Sequence, residues 1–366
     1  MWTLVWASQL LAWPLRGTST HLPSEINTTQ LIVPSNSDWN PSNPKVDSLT
    51  LAAAAAHTLN YMHQNPNDTR GVHAGLLSEL GVTVSDVKAT LAIIAFVGLH
   101  YPTLLQDPEW WRENFDHYAW KADANPRFPF RNHQIRLTRY VIYSVDGSSQ
   151  KNEQFTQALW QTPNEELALD EQIASQKCPQ SIRCQLTRQD ILQGALEHQY
   201  AGKSEPLIWV NEHHFHEAQL QGTLLVKDEN GDRHWFNVHR SNQHPYIAGL
   251  GATEQARFWY FQRTNGAYGW GNGSQKIELF PGVSMAGDVD NLGLGKVFWI
   301  QSPERTTVGV LSDTGGAFQA NLHQLDWFMG VYPDRQTLEH QTRHLPKYAN
   351  VGILIRKSHK FEDISP

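Results

Sequence analysis

Apolar residues recur along this chain with two different periods, and the change of period divides it. Residues 47–64 carry them at helical spacing, with alanines at 52–56 and a stop at Pro66, so a helix is predicted there. A second helix is predicted from the start Thr83-Val84-Ser85-Asp86, a capping box with Asp in place of Glu. It continues through the apolar run Leu91-Ala92-Ile93-Ile94-Ala95-Phe96-Val97. The two are expected to form a small helical cap. Beyond Pro126 the texture changes to short alternating runs punctuated by Gly, Pro and Asn, the signature of β structure. Residues 136–143 form a predicted strand, and residues 222–226 and 234–238 are predicted to pair as a hairpin across Asp228-Glu229-Asn230-Gly231-Asp232. A helical signal at 187–196 interrupts this pattern, and further strands are predicted at 295–300, 307–311 and 351–355.

The chain opens on an apolar stretch, residues 2–15, broken by Ser8, Gln9 and Pro14. It falls short of the roughly 20 apolar residues that a transmembrane helix needs, so none is predicted. It is compatible with the core of a secretory signal, although no Lys or Arg precedes it and no small-x-small cleavage site is clear. No Cys follows closely, so a lipoprotein anchor is not supported. Residues 18–45, rich in Ser, Thr, Asn and Pro, read as a flexible tether.

A length of 366 residues allows two domains or one elaborate domain. With 29 basic against 36 acidic residues, a formal charge of -7 and no long basic run, nucleic acid is not an expected partner. Aromatic residues make up 11% of the chain, including 14 Trp, a supply compatible with stacking on sugar rings once the core has taken most of them. Cys178 and Cys184 fit either one short-loop disulfide in an exported protein or two reduced thiols. His213, His214 and His216 look like a ligand set, but no partner stands at a recognisable spacing. A surface or strand-edge role is expected for them, with no metal site and no organic cofactor.

The candidate chemistry lies near the C-terminus. Asp288 in Gly287-Asp288-Val289-Asp290-Asn291-Leu292-Gly293-Leu294-Gly295, Asp313 in Ser312-Asp313-Thr314-Gly315-Gly316-Ala317-Phe318, and Asp326 in Leu325-Asp326-Trp327-Phe328 put three carboxylates into one segment. Each is flanked by β-prone residues or glycines, the pattern of strands and tight turns that deliver side chains to one cleft. Clustered aspartates raise one another's pKa, and a carboxyl kept protonated near neutral pH is what acid-base cleavage of a glycosidic or peptide bond requires. Taken singly, each is also an ordinary turn residue. Asp313-Thr314-Gly315 invites comparison with aspartic proteases, but their dyad needs a second such triplet, and Asp146-Gly147-Ser148 is not one.

The order of these motifs resembles the three-aspartate domain, a double-psi β-barrel of cell-wall lytic enzymes. Asp288 with Leu294-Gly295, then Asp313-Thr314-Gly315-Gly316-Ala317, then Asp326-Trp327 match its positions. Upstream, Leu137-Thr138-Arg139-Tyr140, Ala158-Leu159-Trp160, Thr187-Arg188, Gly194-Ala195-Leu196, Gln219-Leu220-Gln221-Gly222-Thr223 and Asn242-Gln243-His244-Pro245-Tyr246 look like successive landmarks of the membrane-bound lytic transglycosylase A family. The likeness covers about residues 130–355. It implies a mainly β fold, a double-psi β-barrel with an inserted smaller β-rich domain and an N-terminal helical extension. The expected division is a signal-like segment and tether at 1–46, the helical extension at 47–125, a discontinuous barrel at 126–155 and 245–366 with its three-aspartate part at about 275–345, and the insert at 156–244. Extended ligands commonly bind in the groove between such parts.

The resemblance implies an enzyme acting on peptidoglycan glycan strands. It would cleave the β-1,4 bond between N-acetylmuramic acid and N-acetylglucosamine and leave a 1,6-anhydro sugar. The sugar's own C6 hydroxyl attacks, so one carboxyl serves first as acid and then as base. By the same resemblance Asp326 is the acid-base residue, with Trp327 and Phe328 desolvating it. Asp313 and Asp288 either support it or only hold loops. Thr138 is either a groove residue or simply part of a strand; Gln221, Gly222, Gly315 and Gly316 are candidate groove residues, while Asn242 and Tyr246 read as structural. The expected location is the periplasm or cell envelope, with cell-wall machinery proteins as possible partners. The sequence departs from the family at Phe318-Gln319-Ala320, where Ile-Lys-Gly is usual, which removes a positive charge from beside the site. Thr223-Leu224 likewise replaces Ser-Gly, and Val141 to Tyr143 replace a Tyr-Glu-Pro or Tyr-Thr-Pro stretch. Two rival readings are a non-catalytic peptidoglycan-binding scaffold and a two-carboxylate glycoside hydrolase using Asp313 and Asp326.

Overall fold

A computed structural model describes residues 31–122, 133–247, 249–251, 253–272, 275–318 and 321–358. The apolar N-terminal stretch and the first part of the expected tether lie outside these residues, as do Gln319 and Ala320. From residue 31 the tether expectation gives way to ordered chain. Strand β1 (Ile32–Pro34) pairs with β2 (Phe115–Trp120), and Trp39 is buried with its ring stacked on His117 at 4.8 Å. Buried Leu31, Ile32 and Trp39 supply the apolar area that a Ser/Pro-rich composition concealed.

Between these strands stand the two predicted helices. Helix α1 (Ser48–Gln64) is capped by Asp47, whose side chain accepts from the Thr50 amide. Helix α2 (Val84–His100) starts on the predicted capping box between Thr83 and Asp86. Rather than forming a separate cap, both pack into the main core. Leu51, Ala54 and Ala55 of α1 and Leu91, Ile94 and Val97 of α2 share one buried cluster with Trp111, Trp120 and Trp299. Each fully buried indole contributes on the order of 4 kcal/mol by area, an upper figure.

The remaining strands are β3 (Ile135–Asp146), β4 (Gln157–Trp160), β5 (Pro206–Val210), β6 (Thr223–Lys227), β7 (Arg233–Ser241), β8 (Trp259–Thr264), β9 (Tyr268–Asn272), β10 (Gln275–Glu278), β11 (Ser284–Ala286), β12 (Val297–Gln301), β13 (Thr306–Asp313), β14 (Gln324–Tyr332) and β15 (Tyr348–Arg356). Eleven strands form one mixed sheet in the order β1-β2-β15-β12-β13-β11-β14-β3-β6-β7-β8, and an extra pairing of β15 with β3 closes the run from β15 to β3 on itself. The long β3 makes this possible. Its Arg136 to Tyr143 lie parallel to β14, its first two residues meet β15, and Tyr143 to Asp146 lie parallel to β6. Strands β6 and β7, expected inside a separate insert, therefore extend the same sheet. The segment they belong to nonetheless builds a second core, with Trp160, Trp209, Phe215, Phe236, Phe258 and Tyr260 in it.

The helical signal at 187–196 is realised only over Arg188–Leu192, because Gly194 takes a positive φ of 88° and ends the turn. Of the surface and strand-edge alternatives the strand edge is excluded: the three histidines sit on a helix, Glu212–Gln221, with His213 exposed. Asn211 caps that helix through the His214 amide, and Phe215 and Ala218 anchor its apolar face. Cys178 and Cys184 are disulfide-bonded, with Cα atoms 5.4 Å apart. No helix among the described residues is long and apolar enough to cross a membrane.

Candidate active site

Strand register brings two of the three aspartates together. On β11, Ala286 pairs with Asp313 of β13 on one side and with Asp326 of β14 on the other. Asp326 in turn pairs with Thr138 of β3. One rung of the sheet thus reads Asp313, Ala286, Asp326, Thr138. Side chains alternate along a strand, so Arg136, Thr138 and Tyr140 share a face of β3 and stay partly accessible, while Leu137 and Val141 on the other face are buried. On β14 Asp326 is likewise accessible between buried Leu325 and Trp327.

Tyr140 donates its hydroxyl to Asp313 Oδ2 at 3.2 Å, and the Thr314 amide donates to Asp313 Oδ1 at 2.8 Å. Thr314 Oγ1 donates to the Gly287 carbonyl at 2.8 Å, tying this turn to the strand end that precedes Asp288. Gly269 of β9 allows the close approach from the other side. A Cβ there would stand 2.8 Å from Asp313 Cβ and Cγ. Beside Asp326, Gln324 Nε2 donates to Thr138 Oγ1 at 2.8 Å, while Asp326 Oδ1 is buried without a partner among the described residues.

Burial pushes both carboxyls up, Asp313 to about 7 and Asp326 to about 6, so the pair holds a proton near neutral pH. Taken alone these values favour the proton on Asp313. The bonding pattern argues for Asp326 instead. Asp313 accepts two hydrogen bonds and faces the Lys276 ammonium of β10, and all three favour its anion. Asp326 has only the Thr138 hydroxyl and the Arg136 charge to hold it down, with one oxygen unpaired. Burial lowers Lys276 to about 8, and its ammonium is fixed by Asn237 Oδ1 and the Val238 carbonyl, each at 2.6 Å. The positive charge that the sequence lacked at Gln319 is therefore present by another route, in Lys276 and Arg136.

Asp288 does not join the pair. It is fully buried and accepts from the Asn291 amide, Asn291 Nδ2 and the Asn321 amide, at 3.1, 2.8 and 2.8 Å. It fastens the segment before Asp326 to the turn after β11. Gly222, at a φ of 80°, ends the histidine-bearing helix, and its carbonyl accepts from the Val238 amide. Asn237 links the following Thr223 to Lys276, which puts Gly222 one layer behind the site. Gln221 is half-buried, and no hydrogen bond joins it to the aspartates among the described residues. Gly315 and Gly316 are exposed beyond Asp313, and Arg257 Nη1 lies 3.2 Å from where a Cβ on Gly316 would be. Asn242 is structural as expected, its amide donating to the Leu186 and Ala256 carbonyls.

Tyr140, Arg136, Lys276 and Arg257 were not candidates from sequence. The period of two along β3 carried a signal for Arg136 and Tyr140, which share the parity of Thr138. Lys276 and Arg257 reach the site only through long-range packing. Two cavities of about 500 and 390 Å³ lie elsewhere, beside the β6–β7 turn and beside Trp160 and Trp209, and no residue of the aspartate rung lines them.

No protein-family model and no curated protein matches the chain. Solved structures do. The fold is similar to that of a membrane-bound lytic murein transglycosylase from Agrobacterium tumefaciens, with a TM-score of 0.62 and 14% identity over 89% of this chain and 97% of that one. It is similar to E. coli MltA with bound chitohexaose, at a TM-score of 0.57 and 15% identity over 89% and 94% of the two chains. MltA from Neisseria gonorrhoeae gives a TM-score of 0.54 and 14% identity over 89% and 91%. At these identities the likeness is one of fold, and the fold of this chain is MltA-like.

Proposed function

We propose that the protein is a peptidoglycan lytic transglycosylase in which Asp326 alone acts as acid and base. The observation that carries this reading is the Asp326 carboxyl, raised to about 6, with one oxygen unpartnered, beside an Asp313 whose bonding favours the anion. The MltA-like fold supports the substrate class. We read the closed run from β15 to β3 as the double-psi barrel, with the groove between it and the second core.

In the proposed reaction Asp326 gives its proton to the glycosidic oxygen as the bond from the anomeric carbon breaks. Positive charge grows on that carbon, and the Asp313 anion stabilises it electrostatically. The C6 hydroxyl of the same sugar attacks, its proton passes to the Asp326 carboxylate, and the acid is regenerated. The product is a 1,6-anhydro end, and no water is consumed. Thr138 orients Asp326, and Asp288 keeps the turn of β11 and the segment before Asp326 in register. The disulfide supports export to an oxidising compartment.

Mass spectrometry of the products from purified peptidoglycan tests the reaction. Anhydro-muropeptides are expected. Reducing-end products would instead identify a hydrolase using both Asp313 and Asp326, and an absence of products with retained binding would identify a glycan-binding scaffold.

A further inference from the structure

Among the described residues Arg257 is a cation without a carboxylate. It lies two residues before β8, next to the buried Phe258 of the second core, and its guanidinium lies over the Trp259 ring at 4.7 Å from the centroid. Its other side meets the turn that follows Asp313, with Nη1 3.2 Å from the Cβ position of Gly316, so any larger residue at 316 would press on it. Arg257 makes no ion pair or side-chain hydrogen bond among the described residues. Arg188 donates through Nε to the Arg257 carbonyl at 2.8 Å, which brings a second guanidinium close. Burial lowers the pKa of both arginines, and the proximity of Arg257 adds to the shift of Arg188. Among the described residues the phenol of Tyr246 is the group that favours the charge on Arg257.

Withdrawing a guanidinium from water without a counter-charge is unfavourable, and the stack on Trp259 recovers only part of the cost. Such an arrangement suits a ligand that brings the anion with it, because the planar fork matches a carboxylate in two parallel hydrogen bonds. Gly316 is three positions along the chain from Asp313, a span of at most about 10 Å. That puts the guanidinium within one or two sugar units of the bond to be cleaved. On a muramyl chain the groups at that range are the lactyl substituent and the stem peptide it carries, whose free carboxylates are the anions of the polymer.

We propose that Arg257, stacked on Trp259 against Gly316, is a specificity residue that binds a stem-peptide carboxylate and so makes the cleft prefer peptide-bearing glycan over neutral glycan. The proposal rests on the reading of the cleft as a glycan-cleaving site. The test measures binding in the Asp326→Asn background, which prevents turnover, with chitohexaose as the neutral probe and a peptide-bearing muropeptide tetrasaccharide as the charged one. Arg257→Gln is expected to weaken the charged probe about tenfold and chitohexaose less than twofold. Arg257→Lys should retain part of the preference, and amidation of the peptide carboxylates should abolish it. An equal loss for both probes, or none, would overturn the carboxylate role and leave a structural stack. If Arg257→Gln fails to fold, salt titration of the parent decides. The preference should shrink as salt rises, and a salt-independent preference would contradict the proposal. A parent that binds chitohexaose but not the muropeptide overturns the clamp alone, whereas binding of neither probe overturns the glycan-cleft reading as well.

Discussion

Asp326 and Asp313 hold a proton near neutral pH, and that sets how activity and stability respond to pH. In the proposed reaction Asp326 acts as the acid and Asp313 as the anion, so kcat/KM measured from pH 4 to 9 is expected to fall on the alkaline side with a midpoint between about 6 and 7 and to fall on the acid side as Asp313 takes up its proton. A midpoint near 4, that of an ordinary aspartate, would show that the cleft does not raise the carboxyl. Stability follows from linkage. The folded pKa of Asp326 is raised from 3.8 to about 6, so the native state binds more protons than the unfolded chain between those values, and stability is lost as pH rises through that window. Asp326→Asn removes the penalty. The variant should gain about 1–2 kcal/mol over wild type at pH 8 and almost nothing near pH 3.5, as read from denaturant midpoints. An equal gain at both pH values would mean that the carboxyl is not strained by burial.

At the scale of elements, β3 and β9 decide the geometry. Strand β3 was legible, because its alternation is clear and the register it takes on β14 puts Thr138 beside Asp326. Its double use, pairing with β15 at one end and β6 at the other, was not, since partners far along the chain leave no mark on a local pattern. The helix carrying His213, His214 and His216 was missed because polar residues crowd its exposed face and Phe215 and Ala218 give only a weak apolar stripe. Strand β9 offers a direct check. Gly269→Val would push a branched side chain into Asp313, and activity is expected to fall at least tenfold, a loss of about 1.4 kcal/mol or more at the barrier. Gly266→Ala, whose Cβ would make ordinary contacts with Glu278 at 3.7 Å and Tyr268 at 4.0 Å, should keep activity within about twofold. Equal behaviour of the two variants in an activity assay would remove β9 from the account.

For the whole molecule, the three aspartate motifs and the order of the landmarks pointed to the fold before any contact was known. What they could not convey is that the N-terminal helices and β1 belong to the main core, because short apolar contributions from distant segments add up only once packed. The three aspartates that the sequence gathers into one segment part on packing, with Asp288 turned into the loop and the other two set on one rung. The Cys178–Cys184 bond closes a short loop whose Ile182 packs against the second core, and reducing it should lower the unfolding free energy by about 2 kcal/mol. Unfolding curves with and without dithiothreitol that superimpose would show that the bond adds nothing. The central claim is that a single carboxyl, Asp326, does the acid-base work, and the most direct test compares muropeptide release by wild type, Asp326→Asn and Asp313→Asn. The account predicts anhydro-muropeptides from wild type, a loss of at least about a thousandfold for Asp326→Asn, and a residual anhydro product from Asp313→Asn. Unimpaired release by Asp326→Asn would contradict it.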